Sequence, residues 1–147
     1  MAIVYFDSSA FVKLVVDEDG SEFAAALWDG CDAAVSSRLA YPEVRAALAA
    51  AFRDHRLDGG AHRQAEETWE EYWAATRPVG LTERVTAHAG QLAGQHGLRG
   101  ADAVHLASAL AVDVDELVFA VWDRRLRAGV KATGIALAPA AAGHAAR

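Results

Sequence analysis

The chain holds a single cysteine, Cys31, in 147 residues, so it can form no internal disulfide. A lone thiol fits a reducing compartment, and Cys31 is expected to be an inert structural residue. Long apolar runs are missing as well. The stretch from Ala2 to Phe6 meets Asp7 at once, without the basic start and extended apolar core of a secretory signal, and no other segment is apolar for long enough to span a bilayer. A cytoplasmic protein with no membrane contact is the expectation. Basic charge is scarce too: 14 Lys and Arg stand against 20 Asp and Glu, a formal net charge of -6. That balance argues against a protein that grips nucleic acid through a general basic surface. Any contact with a polyanion must then be local, for instance at carboxylates clustered around divalent cations that attract phosphate once bound.

What the chain does have is apolar content, at 53% against 23% charged residues, which is enough to bury the core of one domain. The pattern alternates strands and helices. Ile3 to Phe6 reads as a short buried strand and Ala10 to Val16 as a helix behind the turn Asp7-Ser8-Ser9. A helix from Ser21 to Trp28 lies between Gly20 and Gly30, and Ala33 to Ser36 is a second strand. Val44, Ala47, Leu48, Ala51 and Phe52 recur with helical spacing, with Pro42 in that helix's first turn. After the break at Asp58-Gly59-Gly60, Ala65, Trp69, Tyr72 and Trp73 form one helical face, expected to pack into the core rather than to meet a partner. Pro78 to Leu81 reads as a third strand, Glu83 to His96 as a helix that Gly97 ends, and a further helix starts after Gly100. Glu116 to Val121 and Ala132 to Leu137 complete the strands, with a short Arg-rich helix between them. Strands joined by helices predict a three-layer α/β/α domain around a parallel sheet of about five strands, over residues 1–138. The tail over 139–147 is expected to fray.

In such sheets ligands bind outside the carboxyl ends of the strands, where strand order reverses. Four carboxylates stand at element boundaries: Asp7 after the first strand, Glu43 at a helix start, Asp102 just inside the helix that follows Gly100, and Asp123 after the fourth strand. Hard cations such as Mg²⁺ and Mn²⁺ take oxygen ligands, and one or two carboxylates with substrate phosphate oxygens suffice. Taken alone, each acid reads as structural, capping a helix or meeting its dipole, rather than as a metal ligand.

The words around these acids carry a resemblance. Tyr5-Phe6-Asp7-Ser8-Ser9-Ala10-Phe11-Val12-Lys13-Leu14 closely resembles the opening motif of PIN domains, particularly VapC-type toxins. Ser37-Arg38-Leu39-Ala40-Tyr41-Pro42-Glu43-Val44 is similar to the second acidic motif and Gly100-Ala101-Asp102-Ala103-Val104-His105-Leu106-Ala107-Ser108-Ala109-Leu110 to the third. Trp122-Asp123-Arg124-Arg125-Leu126 is similar to the fourth. The resemblance implies a PIN-like fold and a metal-dependent endoribonuclease, with Asp7, Glu43, Asp102 and Asp123 as its acidic cluster. Asp7 and Asp102 would be the principal Mg²⁺ ligands, with Mn²⁺ as a substitute. It also implies a toxin–antitoxin pair, a cognate antitoxin protein as partner, an RNA substrate and a homodimer.

Ser9 matches the family's polar residue two after the first acid, where a hydroxyl could hold a water or phosphate or simply cap the following helix. Arg124, Arg125 and Arg127 either meet RNA phosphates near Asp123 or face solvent on an amphipathic last helix. Val121 departs from the pattern, since many relatives carry threonine or serine there, which weakens a second metal position. His105, three residues after Asp102 on the same helical side, is expected to be a buried structural histidine.

Two other acid-rich α/β classes fit poorly. A phosphatase of the haloacid-dehalogenase type needs Asp-x-Asp after the first strand, where Ser9 takes the second place. A receiver domain needs an acceptor Asp after the third, where Gly80-Leu81-Thr82 has none. A PIN-like binding scaffold without activity, or a nuclease acting on DNA, remains the alternative.

Overall fold

The computed structural model describes residues 2–140. Five strands, β1 (Ile3–Phe6), β2 (Ala33–Ser37), β3 (Arg77–Val79), β4 (Leu117–Ala120) and β5 (Ala136–Ala138), form one sheet. Its order is β3-β2-β1-β4-β5, and every neighbouring pair is parallel. The helices are α1 (Ser8–Val15), α2 (Ser21–Gly30), α3 (Ala40–Arg53), α4 (Gly59–Ala74), α5 (Glu83–His96), α6 (Gly100–Leu110) and α7 (Arg124–Ala132).

The period of two along each strand divides the core into two layers. Tyr5, Val35, Phe119 and Val121 point to one face and pack with Val85, Leu92, Leu106, Leu126 and Val130 of α5, α6 and α7. Val4, Phe6, Ala34 and Ala120 point to the other, against Phe11, Val44, Leu48 and Trp69 of α1, α3 and α4. The expected three-layer α/β/α architecture is the one observed.

From β1 the chain steps outward through β2 to β3, then returns to the other side of β1 to lay down β4 and β5. Strand order therefore reverses between β1 and β4, which opens a crevice at their carboxyl ends. Helices α1, α3 and α7 each follow a strand, so their amino ends face that same edge. The far end of α6, Leu110, lines a pocket with Glu116, Leu117 and Ile135 at the opposite edge, so the α6 amino end also points toward the crevice.

Local chemistry sets the boundaries. Asp7, Asp58, Thr82 and Asp123 each cap a helix by accepting a backbone N–H three residues on. Gly59 and Gly60, read from sequence as a break, are the first residues of α4 instead, because the Asp58 cap supplies the initiation that glycine lacks. Gly97 ends α5 with a left-handed φ of 62°, the conformation a residue without Cβ adopts freely. Pro42 sits in the first turn of α3, where an N–H has no helical partner to lose.

Two strands differ from expectation. The third covers Arg77–Val79 rather than 78–81, and it lies at the sheet edge, the place in a sheet that tolerates Pro78. The fifth covers Ala136–Ala138 rather than 132–137, because α7 keeps its apolar stripe of Leu126 and Val130 and runs on to Ala132. Residues 141–147 of the tail expected to fray lie outside the described residues. Among the described residues no helix is long and apolar enough to cross a membrane.

The aromatic face of α4 belongs to the core. Trp69 is wholly buried, 4.8 Å from Phe11 between ring centroids, and Tyr72 meets Trp28 at the same distance. Trp69→Ala should therefore lower unfolding stability by about 3–5 kcal/mol. Trp73→Ala, at a half-buried position, should cost less. Urea denaturation midpoints of the two variants check the order, and equal, small losses would return this face to the surface.

Candidate active site

The crevice gathers the four acids by geometry that the fold dictates. Asp7 follows β1 directly and is the one carboxylate among the buried polar residues described, at 4% exposure. Its Oδ1 accepts from the backbone N–H of Ala10 and from the Ser9 hydroxyl, each at 2.9 Å, while Oδ2 takes no hydrogen bond among the described residues. Burial pushes the Asp7 carboxyl above the ordinary range, and the charge of nearby Asp102 pushes the same way. The hydrogen bonds from Ala10 and Ser9 pull it back.

Asp102 lies in the first turn of α6 and is gripped by Arg99, whose Nε and Nη2 stand 3.1 and 3.0 Å from its Oδ2. The hydrogen bond to Asp102 raises the Arg99 guanidinium pKa, and the charges of Asp102, Asp123 and Glu43 add to it, so one cation senses three of the four acids. Arg99 is largely exposed, and an exposed ion pair of this kind contributes little to stability. Asp123 is exposed and caps α7 through Oδ2 to the N–H of Leu126, 3.0 Å away. Glu43 lies in the first turn of α3 and caps nothing. Its Oε1 is 2.6 Å from Nε2 of His105.

Sequence reasoning left three things unseen here. His105 is buried as expected, yet it is bonded at both ring nitrogens, with Tyr5 Oη 2.8 Å from Nδ1. Arg99 was not singled out, although its spacing of three from Asp102 within one helical turn is a readable signal. Arg127, grouped with the exposed arginines of the last helix, is buried and donates to the Val121 carbonyl at 2.8 Å. Of that group only Arg124 and Arg125 face solvent beside Asp123. Ser9 does not cap α1, a role Asp7 takes; its hydroxyl instead holds Asp7. Val121 is wholly buried in the core, so no hydroxyl stands in that corner. Cys31 is half-buried, its thiol donating to the Trp28 carbonyl.

Among the described residues no three His, Cys, Asp or Glu side chains close into a ready-made metal cage. The donor set nevertheless fits a hard divalent cation, which keeps several waters and asks for only one or two carboxylates. The observation that favours a cation here is the buried Asp7 carboxylate, which forms no ion pair among the described residues. An ionised group out of water without a counter-charge is costly, and a cation in the crevice would meet that cost.

Comparison with known proteins agrees with this geometry. The PIN domain family matches residues 4–128. Ribonuclease VapC49 of Mycobacterium tuberculosis strain H37Rv is 66% identical over 140 residues, covering 95% of this chain and 97% of its own length. The crystal structure of FitAcB from Neisseria gonorrhoeae matches the fold with a TM-score of 0.68 at 19% identity, over 91% of this chain and 95% of that one. A toxin-antitoxin complex from Klebsiella pneumoniae matches with a TM-score of 0.53 at 19% identity, over 80% and 84% of the two chains. With its four acids at the carboxyl edge of a 3-2-1-4-5 parallel sheet, this chain belongs to the PIN-domain family and, within it, to the VapC group.

Proposed function

We propose that the chain is a Mg²⁺-dependent endoribonuclease, with Mn²⁺ as an acceptable substitute, that serves as the toxin of a toxin–antitoxin pair. The observation that carries this reading is the buried, cation-less carboxylate of Asp7 at the strand-order switch, with three further acids around the same crevice. The name ribonuclease borne by a relative 66% identical along nearly the whole chain supports RNA as the substrate. The toxin-antitoxin complex of similar fold supports a small antitoxin as the partner. A homodimer in the cytoplasm belongs to the same reading.

In this mechanism Asp7 and Asp102 hold the cation, whose chemistry when bound is Lewis-acid polarisation of the scissile phosphodiester. Ser9 keeps Asp7 oriented by donating to Oδ1, leaving Oδ2 for the cation. Glu43, with one oxygen committed to His105, offers the other to orient an attacking water. Asp123 completes the negative rim from the α7 end. Arg99, exposed and paired with Asp102, would be available to a substrate phosphate where a cation neutralised Asp102. Exposed Arg124, next to Asp123, meets a neighbouring phosphate.

Three tests follow from this assignment. Purified chain incubated with total cellular RNA should cleave it in Mg²⁺ or Mn²⁺ and stop in chelator, with the cut sites read by sequencing the new ends; full activity in chelator would sink the mechanism. Asp7→Asn or Asp102→Asn should lower cleavage by about a hundredfold or more, the equivalent of about 3 kcal/mol of transition-state stabilisation. Expression alone should arrest growth, and co-expression of the antitoxin should restore it.

Stability should move the other way. The Asp7 carboxyl is raised in the folded state, so its favourable contribution exists at acid pH and is lost as pH rises through the folded range. The ionised form of Asp7 is thus a burden on the metal-free fold. Asparagine can still accept from Ala10 and Ser9 without carrying charge. In chelator, Asp7→Asn should melt no lower than the parent, with an advantage that grows from acid to neutral pH, whereas Asp102→Asn should melt close to it. A marked fall in melting temperature for Asp7→Asn would make Asp7 a structural cap alone.

A further inference from the structure

We infer that His105 is a positioning residue: it holds the Glu43 carboxylate in place through Nε2–H, and Tyr5 sets which ring nitrogen carries that proton. This rests on the reading of the crevice as the catalytic site. The observations are a continuous chain of hydrogen bonds across three layers of the fold. The Ser37 backbone N–H donates to Tyr5 Oη at 3.1 Å, Tyr5 Oη lies 2.8 Å from His105 Nδ1, and His105 Nε2 lies 2.6 Å from Glu43 Oε1. Tyr5 and His105 are both essentially inaccessible to water, at 0% and 1% exposure.

The direction of the chain follows from its ends. The Tyr5 hydroxyl, wholly buried, both donates and accepts a hydrogen bond. One Tyr5 lone pair is taken by the Ser37 N–H, and the phenol proton needs an acceptor, which His105 Nδ1 supplies. The imidazole proton then resides on Nε2, aimed at a carboxylate that can only accept. Both ring nitrogens are thereby occupied, so His105 has none free to take a proton from a substrate it cannot touch.

The need for such a clamp is specific to Glu43. Asp7 is held by Ser9 and the α1 backbone, Asp102 by Arg99 and Asp123 by the α7 backbone. Glu43 has the longest side chain of the four acids and makes no cap, so without His105 it would sample several rotamers and have to be ordered when cation and substrate arrive. Tying Oε1 to a ring wedged between β1 and α6 presents Oε2 alone, in one orientation. Groups that hold a residue of such a site in place from behind typically govern activity by 10- to 100-fold.

The test compares two isosteric replacements. In His105→Gln the amide nitrogen falls near the place of Nε2 and can donate to Glu43. In His105→Asn it falls near Nδ1, reaches Tyr5 and leaves Glu43 unheld. Mn²⁺ affinity by calorimetry without RNA, melting temperature in chelator, and kcat and KM on RNA are measured for both. His105→Asn should lose roughly 10- to 100-fold in kcat, with KM and Mn²⁺ affinity within about threefold, because Asp7 and Asp102 rather than Glu43 hold the cation. His105→Gln should stay within about threefold of the parent in all three, although both variants lose a similar amount of melting temperature. If the two fall together, or if both match the parent, His105 merely fills space and the inference is overturned.

Should His105→Asn fail to fold, the parent chain itself carries the test. Imidazole ¹⁵N NMR of the parent in chelator reads the clamp without metal or RNA. A protonated Nε2 is expected, and a bare Nε2 overturns the inference. A protonated Nε2 in a chain that neither binds Mn²⁺ nor cuts RNA would instead refute the proposed function and leave the clamp standing.

Discussion

A carboxylate removed from water must be given hydrogen bonds or opposite charge, and the rest of this molecule is arranged around one that has only the first. Asp7 ends the central strand of the sheet, and its neighbours Tyr5 and Phe6 anchor opposite core layers, so it cannot move to the surface without tearing both. The chain answers its burial with the α1 N-terminus and Ser9, which together satisfy a single oxygen. The other oxygen takes no hydrogen bond among the described residues. In the proposed function a cation would meet it, with Asp102, Glu43 and Asp123 around the same crevice.

Capping and chemistry are therefore one arrangement here. Asp7 and Asp123 both cap helices, as their sequence context allowed, yet the helices they cap begin at the carboxyl edge of adjacent strands, β1 and β4. A cap at that edge of a parallel sheet faces the crevice by construction. Glu43 and Asp102 reach the same edge from first-turn positions without capping, and each is steadied by a side chain instead, His105 for one and Arg99 for the other. The positive ends of four helix dipoles converge on the crevice, which offsets part of the repulsion that four carboxylates would otherwise feel.

Much of this was legible in sequence because it is local. The break from an apolar strand to Asp7, the helical spacing after Glu43, and the glycine that ends α5 at position 97 each depend on a few consecutive residues. The third and fifth strands were misplaced by a few residues because both are three residues long and lie at sheet edges, where few contacts reinforce the pattern. The clamp on Glu43 was invisible for a different reason: Glu43 and Tyr5 lie 62 and 100 residues from His105 along the chain, and no local pattern encodes such a meeting. Arg127 misled because a charged residue in a charged helix reads as solvated. The backbone carbonyl of Val121 that takes it inward can be found only once α7 is docked on β4.

The acidity of the chain, which at first argued against a nucleic-acid substrate, resolves once charge is counted by place rather than in total. At physiological salt a surface charge is felt over about 8 Å, so most of the formal charge of -6 is screened from a phosphate at the crevice. What that phosphate meets is the rim. After Asp123 the sequence contains no further Asp or Glu, whereas Arg124, Arg125, Arg127, Lys131 and Arg147 follow. Arg127 is turned inward, but Arg124 and Arg125 are exposed at the start of α7, and Arg99 stands beside Asp102. A cation held by Asp7 and Asp102 would neutralise the charge that Arg99 now balances at Asp102, leaving three guanidinium groups for the backbone of a strand. In the proposed function the acids would then seat the charge that draws the substrate in, and the general basic surface that the composition lacks would not be required.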